Sequence, residues 1–539
     1  MTMMRRNRTA IGMGLLGLAV LAGPALGAGC SNLAEDCKEN YRPCEGASGT
    51  SAGGSGGGTP VGCIPSENLG GAVGNECGVF VGGPLGKDTN PGTKEAPLAT
   101  LVAAVALADT GAKRVYACAT DYGMYLSEVL VVPAGMTIYG ALACEQNWGH
   151  LSGVPVRLTA PAGQIPLTLD GTVGSGPIRL EDVEVLAAPA EEAGGSSVAV
   201  VVNQAEVTFK NVEFTAQEGK EGAAGEEVPG TGMDGAMGEE GDLACSATPV
   251  NGGLPIINDC GTPADTSDDS LSGSGGVGQQ ATGTDGSPGD PGSAVNDNSG
   301  EGQSSMVGDA CADGKVGNPG DPGPFGMGAT MMGTVSTTGF TGNGVGASGL
   351  RGLPGQGGGG GGASKGGAPC AAGLGGASGG SGGSGGCGGV GGNGGRPGGS
   401  SIALISLRST LTLEEDVRLR AKEPGAGGSG GLGQSGGAGA MGGVGGENAG
   451  MMTLNAGCDG GMGGMGGLGG IGGGGTGGHS IGIAYVGTPP PALPSSETTQ
   501  SAIEHAEMGG AGGPGGDDAS MTDDGAEGMA AAVMELPEG

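Results

Sequence analysis

Apolar and polar residues alternate in only a few windows of this chain, and the windows resemble one another. One begins at Ser196 and reads SSVAVVVNQAEVTFKNVEFTAQEG; another begins at Ser400 and reads SSIALISLRSTLTLEEDVRLRAKEPG. Ser196, Val198, Val200, Val207 and Phe209 align with Ser400, Ile402, Leu404, Leu411 and Leu413. After a one-residue insertion, Val212 and Phe214 align with Val417 and Leu419. A partial third copy, HSIGIAYVG, begins at His479 and is followed by SAIEHAEMGGAGG. Upstream, Leu180, Val183 and Val185 each stand 29 residues before Phe209, Val212 and Phe214, and Pro-Ala-Gly turns at Pro133 and Pro161 stand 28 apart.

Period-two alternation bounded by turn residues predicts short strands. A spacing in the twenties predicts coils that bury their inward Val, Leu and Ile only by stacking on one another. The expected fold class is therefore all-β: a short right-handed parallel β-helix, a solenoid. A β-sandwich of the same strands is the alternative, although a sandwich need not repeat at fixed spacing. One window has a different period. Leu98, Leu101, Val102 and Val105 recur at helical spacing and give one apolar face, which predicts an N-terminal helix capping the open end of the stack.

Between these windows lies glycine, 135 residues of it, against five Phe, six Tyr and one Trp. Glycine buries no side chain and costs the most backbone entropy to order, so a packed core is confined to the glycine-poor windows. The layout that follows is a signal peptide (1–29), a Cys/Gly/Ser-rich linker (30–78) and a first β-helix part with its capping helix (79–218). A glycine-rich insertion (219–399), one coil (400–424), a second insertion (425–478), a last coil (479–508) and an acidic Gly-rich tail (509–539) complete it. Closure entropy grows slowly with loop length, so insertions of this size are tolerable between neighbouring coils. The tracts have two available states. They are disordered for want of apolar side chains, or they form extended helices of three residues per turn, bonded laterally through the backbone. Glycines at every third position, as at Gly232, Gly235, Gly238 and Gly241 and from Gly314 to Gly326, favour partly ordered extended segments pinned by disulfides. The runs break too soon for a collagen triple helix.

The segment VFVGGPLGKDTNPGTKEAPLATLVAAVALA, from Val79, carries Asp88, Asn90, Pro91, Gly92, Thr93 and Pro97 in order before the helical window. It resembles the entry segment of pectin-lyase-like right-handed β-helix proteins, in which a strand, an Asp-x-Asn-Pro-Gly-Thr turn, a proline and a helix follow one another. The resemblance covers 79–218 and, through the repeat, the two later coils; it implies a fold and says little about activity. With its enormous glycine tracts, the chain is also similar to glycine-rich-repeat (PGRS-type), lipoprotein-like surface proteins of myxobacteria.

Arg5, Arg6 and Arg8 precede an apolar run from Ile11 to Ala22 that is too short for a standard membrane span. Gly27, Ala28 and Gly29 then lead into Cys30, which resembles a bacterial lipoprotein signal with Cys30 as the lipidated residue. Leu26 lies four residues before the cysteine, where the family pattern has three. Ordinary secretion with Cys30 as a thiol is the alternative. The expected location is exported, as an outer-membrane or cell-surface lipoprotein or as a secreted protein. Of 13 cysteines, setting Cys30 aside leaves an even number, which suits disulfides in an oxidising compartment better than zinc, since no C-x2-C occurs and the chain has three His. The net charge of −34 argues against nucleic acid as a partner.

No motif points firmly to catalysis. Ser378, Ser381 and Ser384 fit G-x-S-x-G, but a nucleophile elbow needs a strand before it and a helix after it. His150, His479 and His505 are scattered. Glu181, Asp182, Glu184, Glu213, Glu414, Glu415 and Asp416 fall on neighbouring coils; inward Val183 and Val185 would turn Asp182 and Glu184 to solvent. A solvated acidic face is the plainer reading, a catalytic or calcium site the sharper one. Tyr116, Tyr122, Tyr125, Tyr139 and Trp148 gather in one short stretch. They form either a glycan-stacking patch or the filling of a wide first coil. The expectation is an exported, surface-anchored structural or adhesive protein displaying glycine-rich segments, with no catalytic residues, metal or cofactor. Its partners would be the membrane, through the lipid, and cell-surface or matrix polysaccharide. The alternative is a carbohydrate-active or glycan-binding β-helix.

Overall fold

The structure is a computed structural model of the chain, and it describes residues 62–539 except 69–71, 120–124, 262–265, 293–296, 494–500 and 517–521. It is predominantly β, with few helices and two large parallel sheets. Along the main path of the first sheet lie Val79–Val81, Arg114–Cys118, Thr137–Ala143, Ile178–Leu186, Glu206–Ala216, Val417–Ala421 and Ala502–Glu504. The second orders Leu130–Ala134, Leu167–Gly174, Ser197–Asn203, Ser401–Leu407, Ser480–Val486 and Ala530–Glu535, every neighbour parallel. Successive rungs of one sheet alternate along the chain with rungs of the other, a pattern compatible with a parallel solenoid.

The registers between rungs follow the aligned windows. Val198 pairs with Ile402, Val200 with Leu404, Val207 with Leu411 and Phe209 with Leu413. Val212 and Phe214 pair with Val417 and Leu419. Leu180, Val183 and Val185 pair with Phe209, Val212 and Phe214. The chain leaves after Ala216 and returns at Ser401 in register with Ser197, so apolar stacking and ladder bonds set the pairing, whatever the length between. The Pro-Ala-Gly spacing is not a rung: Pro133 pairs with Asp170, because a strand pair and hairpin around Gly149–His150 lengthen that turn of the chain. The C-terminal stretch, expected as an acidic Gly-rich tail, supplies a strand, Ala530–Glu535, beside Ser480–Val486.

The main core lies between the sheets, with Val115, Ile138, Leu180, Phe209, Phe214 and Leu419 from one and Leu169, Val200, Leu404 and Ile483 from the other. A second cluster covers the opposite face of the second sheet, where Val198, Val201, Ile402, Ile405 and Ile481 pack under Val335, Leu536 and Phe340. Burial on both faces explains why SVAVVV and SIALISL are nearly continuous apolar runs. Helix Leu101–Asp109 buries Leu101, Ala104, Val105 and Ala108 against the first rungs, while Val102, expected on that face, is 47% exposed. Its start is fixed by chemistry upstream and downstream. Asp88 accepts from the N–H groups of Ala99 and Thr100 and from the Thr100 hydroxyl, and Glu128 accepts from Leu101 and Val102. These carboxylates meet the orphan N–H groups of the first turn.

The glycine tracts are bonded side to side with a period of three. In residues 376–399, Ser378, Ser381, Ser384 and Cys387 donate to Asp242, Glu239, Ala236 and Met233. Gly380, Gly383, Gly386 and Gly389 donate to Cys458, Gly461, Gly464 and Gly467. Gly379 and Gly382 donate to Gly276 and Gly273. Three residues therefore address three neighbouring segments in turn, as a helix of three residues per turn must. Glycine is required where backbones meet: a Cβ on Gly386 would stand 2.0 Å from the Gly437 oxygen. The disulfides Cys245–Cys370, Cys260–Cys387 and Cys311–Cys458 tie tract to tract; Cys63–Cys77 and Cys118–Cys144 brace the first rungs. Cys30, Cys37 and Cys44 lie outside the described residues.

Candidate functional site

Three rungs of the first sheet turn at one corner, and a groove opens beside it. Between Leu180 and Val183, both buried, stand two residues rather than one, so the alternation resets. Asp182 takes up that slip with a left-handed backbone, φ 60°, as do Asn211 and Asp416, both at 51°, on the next rungs. Asp and Asn tolerate this conformation better than other side chains. The bend overturns the expectation that Asp182 faces solvent: it is 6% exposed and Glu181 is fully buried.

The corner sorts the acidic residues into two groups. On one side Glu181 is held by Arg179 at 3.1 Å, by Lys210 at 3.4 Å and by the Ser66 hydroxyl, and Arg179 bridges on to Glu414 at 2.9 Å. This is a compensated cluster around one buried carboxylate that binds rungs together. On the other side the groove, about 610 Å³, is lined by Tyr125, Arg157, Glu184, Glu213, Arg418 and Arg420 with the corner residues. Arg157 meets Glu184 at 2.8 Å, and the Tyr125 hydroxyl donates to the same carboxylate at 2.7 Å. Arg420 meets Glu213 at 2.5 Å. His150 meets Asp182 at 3.0 Å, and the Asn211 amide donates to the other Asp182 oxygen at 3.2 Å.

Burial pushes the Asp182 carboxyl above its ordinary value, against the opposing pull of its bond with His150. Burial and the bond to Glu184 push the Tyr125 phenol up to about 12. The groove thus presents guanidinium groups beside carboxylates they already engage, and a phenol whose O–H is committed to Glu184. That equipment suits recognition of a polar, hydroxylated or anionic ligand. Among the described residues, no group of three or more His, Cys, Asp or Glu is placed to hold a metal ion.

Of the aromatic cluster, Tyr116, Tyr139 and Trp148 lie inside with Phe80. Phe80 stacks on Tyr116 at 5.2 Å and Tyr116 on Tyr139 at 5.3 Å, while Trp148 meets Phe80 edge-on at 4.8 Å. The Tyr116 hydroxyl donates to the Cys63 carbonyl and the Trp148 indole to the Lys94 carbonyl. Their ring faces are covered, so they offer no stacking surface to a sugar; Tyr125 alone of the described four opens on the groove, and Tyr122 lies outside the described residues. Ser378, Ser381 and Ser384 are buried, each hydroxyl accepting from a facing N–H, of Asp242, Glu239 and Ala236. Nothing in the sequence marks Arg157, Asn211, Arg418 and Arg420 as site residues, and His150 stands out there only as one of three scattered histidines. The signal available for Asn211 and Asp416 was the break in alternation they share with Asp182. Among the described residues no helix is long and apolar enough to cross a membrane. Comparison with protein-family models, curated proteins and solved structures gives no match to this chain.

Proposed function

We propose that this chain is an exported structural protein: a right-handed parallel β-solenoid, capped by helix Leu101–Asp109, that carries its glycine-rich insertions as a rigid bundle. Lipidation of Cys30 would anchor it, and its work would be adhesive or matrix-forming rather than catalytic. The observation that carries the reading is the lateral bonding of the tracts at every third residue, braced by three disulfides that cross between them. Cells labelled with a lipid precursor should incorporate it into the wild-type chain and not into Cys30→Ala; equal labelling would remove the anchor. Purified protein should show no turnover in reducing-sugar and lyase assays.

A second reading is favoured by the groove, whose Arg157, Arg418 and Arg420 stand beside Tyr125, Glu184 and Glu213. It is binding of, or action on, an acidic or hydroxylated glycan. A glycan array tests it. A hit lost in Arg157→Ala would support the groove, and turnover lost in Glu184→Gln would displace the structural reading.

A further inference from the structure

One groove of the glycine bundle is filled at one end and, among the described residues, lacks backbone partners along the rest. Residues 425–446 and 457–478 run antiparallel as neighbours, Gly475 donating to Gly428, Gly466 to Gly437 and Gly463 to Ala440. At one end the C-terminal segment 509–516 lies along both. Gly510 and Gly513 donate to the carbonyls of Gly478 and Gly475, and Gly427 and Gly430 donate to the carbonyls of Ala511 and Pro514.

That pattern continues past Gly516 with no occupant among the described residues. The next N–H groups in the same row are those of Gly433, Gly436, Gly439 and Gly442. The next carbonyls opposite are those of Gly472, Gly469, Gly466 and Gly463. Among the described residues, none of these eight groups has a hydrogen-bond partner. At the far end the Asp459 carboxylate accepts from Gly445 at 2.8 Å and stops the row. Beside the open stretch stand Met441, Val444, Met462, Met465 and Leu468, between 44% and 68% exposed.

We infer that this groove takes up an extended peptide strand, supplied by another polypeptide, with glycine at every third position. The requirement comes from the segment already seated there: a Cβ on Gly510 would stand 2.1 Å from the Gly425 oxygen, and one on Gly513 1.9 Å from that of Gly428. Each triplet of the incoming strand gives one N–H to a carbonyl of 463–472 and receives one N–H from 433–442. Its direction is set by the same pairing, parallel to 425–446. Four triplets fill the open length, about 28 Å between Gly433 and Gly442 at the rise of a three-residue helix. The Met, Val and Leu side chains form walls for its remaining positions. The inference rests on the structural reading above, since it needs the bundle folded.

The probe is a capped peptide of four Gly-Ala-Ser triplets, titrated into the purified full chain. The result expected is saturable binding, one peptide per chain, with amide exchange slowed within 432–443. Replacing each peptide glycine by sarcosine removes the donors and should abolish both effects. In Met441→Glu/Met465→Glu, at exposed positions, affinity should fall about tenfold, near 1.4 kcal/mol. No saturable binding at millimolar peptide, or equal binding of the sarcosine peptide, overturns the inference. Exchange within 380–398 of the free protein separates the two levels. Protection there with no peptide binding sinks the groove alone, and exchange there at unfolded-chain rates sinks the bundle and the groove together.

Discussion

Asp182, Asn211 and Asp416 hold a strained backbone so that one corner repeats from rung to rung. A β-branched residue at such a φ costs about 1–3 kcal/mol, whereas glycine accepts it freely. Asn211→Val should therefore lower the denaturation midpoint clearly more than Asn211→Gly, which loses only the amide bond to Asp182. Asp182 itself carries a pH signature. Burial makes its folded carboxyl harder to ionise than the unfolded one, whose ordinary value is 3.8. From that pH up to the folded value, the unfolded state holds fewer protons, so this group's contribution to stability falls as pH rises through the window. Asp182→Asn removes the dependence. Denaturation midpoints for the two proteins should shift relative to each other in the variant's favour as pH climbs from 3 to 7; a constant difference would mean that His150 fully offsets the burial.

At the scale of elements, glycine reverses its usual effect. In open sites Gly→Ala stiffens the unfolded chain and stabilises by about 0.4–1 kcal/mol. In the bundle the added Cβ meets backbone, and Gly386→Ala should disrupt lateral bonding, because both neighbours are fixed by their own ladders. Gly111→Ala, with open space around it, is the control and should melt at or slightly above the wild-type temperature. Ser381→Ala should cost about 0.5–1.5 kcal/mol by removing the hydroxyl that accepts from the Glu239 N–H. Much of the sheet register was legible because Val, Leu and Ile at fixed spacing leave few alternatives once they must stack. Phe209 over Leu413 is readable from two aligned strings. The corner was not, since positive φ leaves only a missing beat in the alternation, as between Leu180 and Val183. The groove was less legible still: Arg157 and Tyr125 reach Glu184 from separate strands and loops, and no spacing along the chain announces that meeting. The buried aromatic trio shows the converse limit, because clustering in sequence cannot say whether rings face each other or the solvent.

Taken as a whole molecule, the protein joins two bodies stabilised by different forces. Between the sheets, apolar burial carries the stability. In the bundle few large side chains are buried, and each lateral hydrogen bond yields only about 0.5–1.5 kcal/mol net against a backbone entropy of about 1–2 kcal/mol per residue. Covalent closure must then supply a larger share. Cys245–Cys370, Cys260–Cys387 and Cys311–Cys458 close loops of 125, 127 and 147 residues, for which chain-entropy arguments give about 4–5 kcal/mol each. Reduction should therefore separate the two bodies. Under a thiol reductant, amides in 376–399 should lose protection at a temperature where those of Ile178–Leu186 and Ser401–Leu407 keep theirs. Exchange measured by mass spectrometry on the reduced and oxidised chain reads this directly. If both regions open together, the bundle and the sheets share one cooperative unit, and the glycine is held by the sheets rather than by its own cross-links.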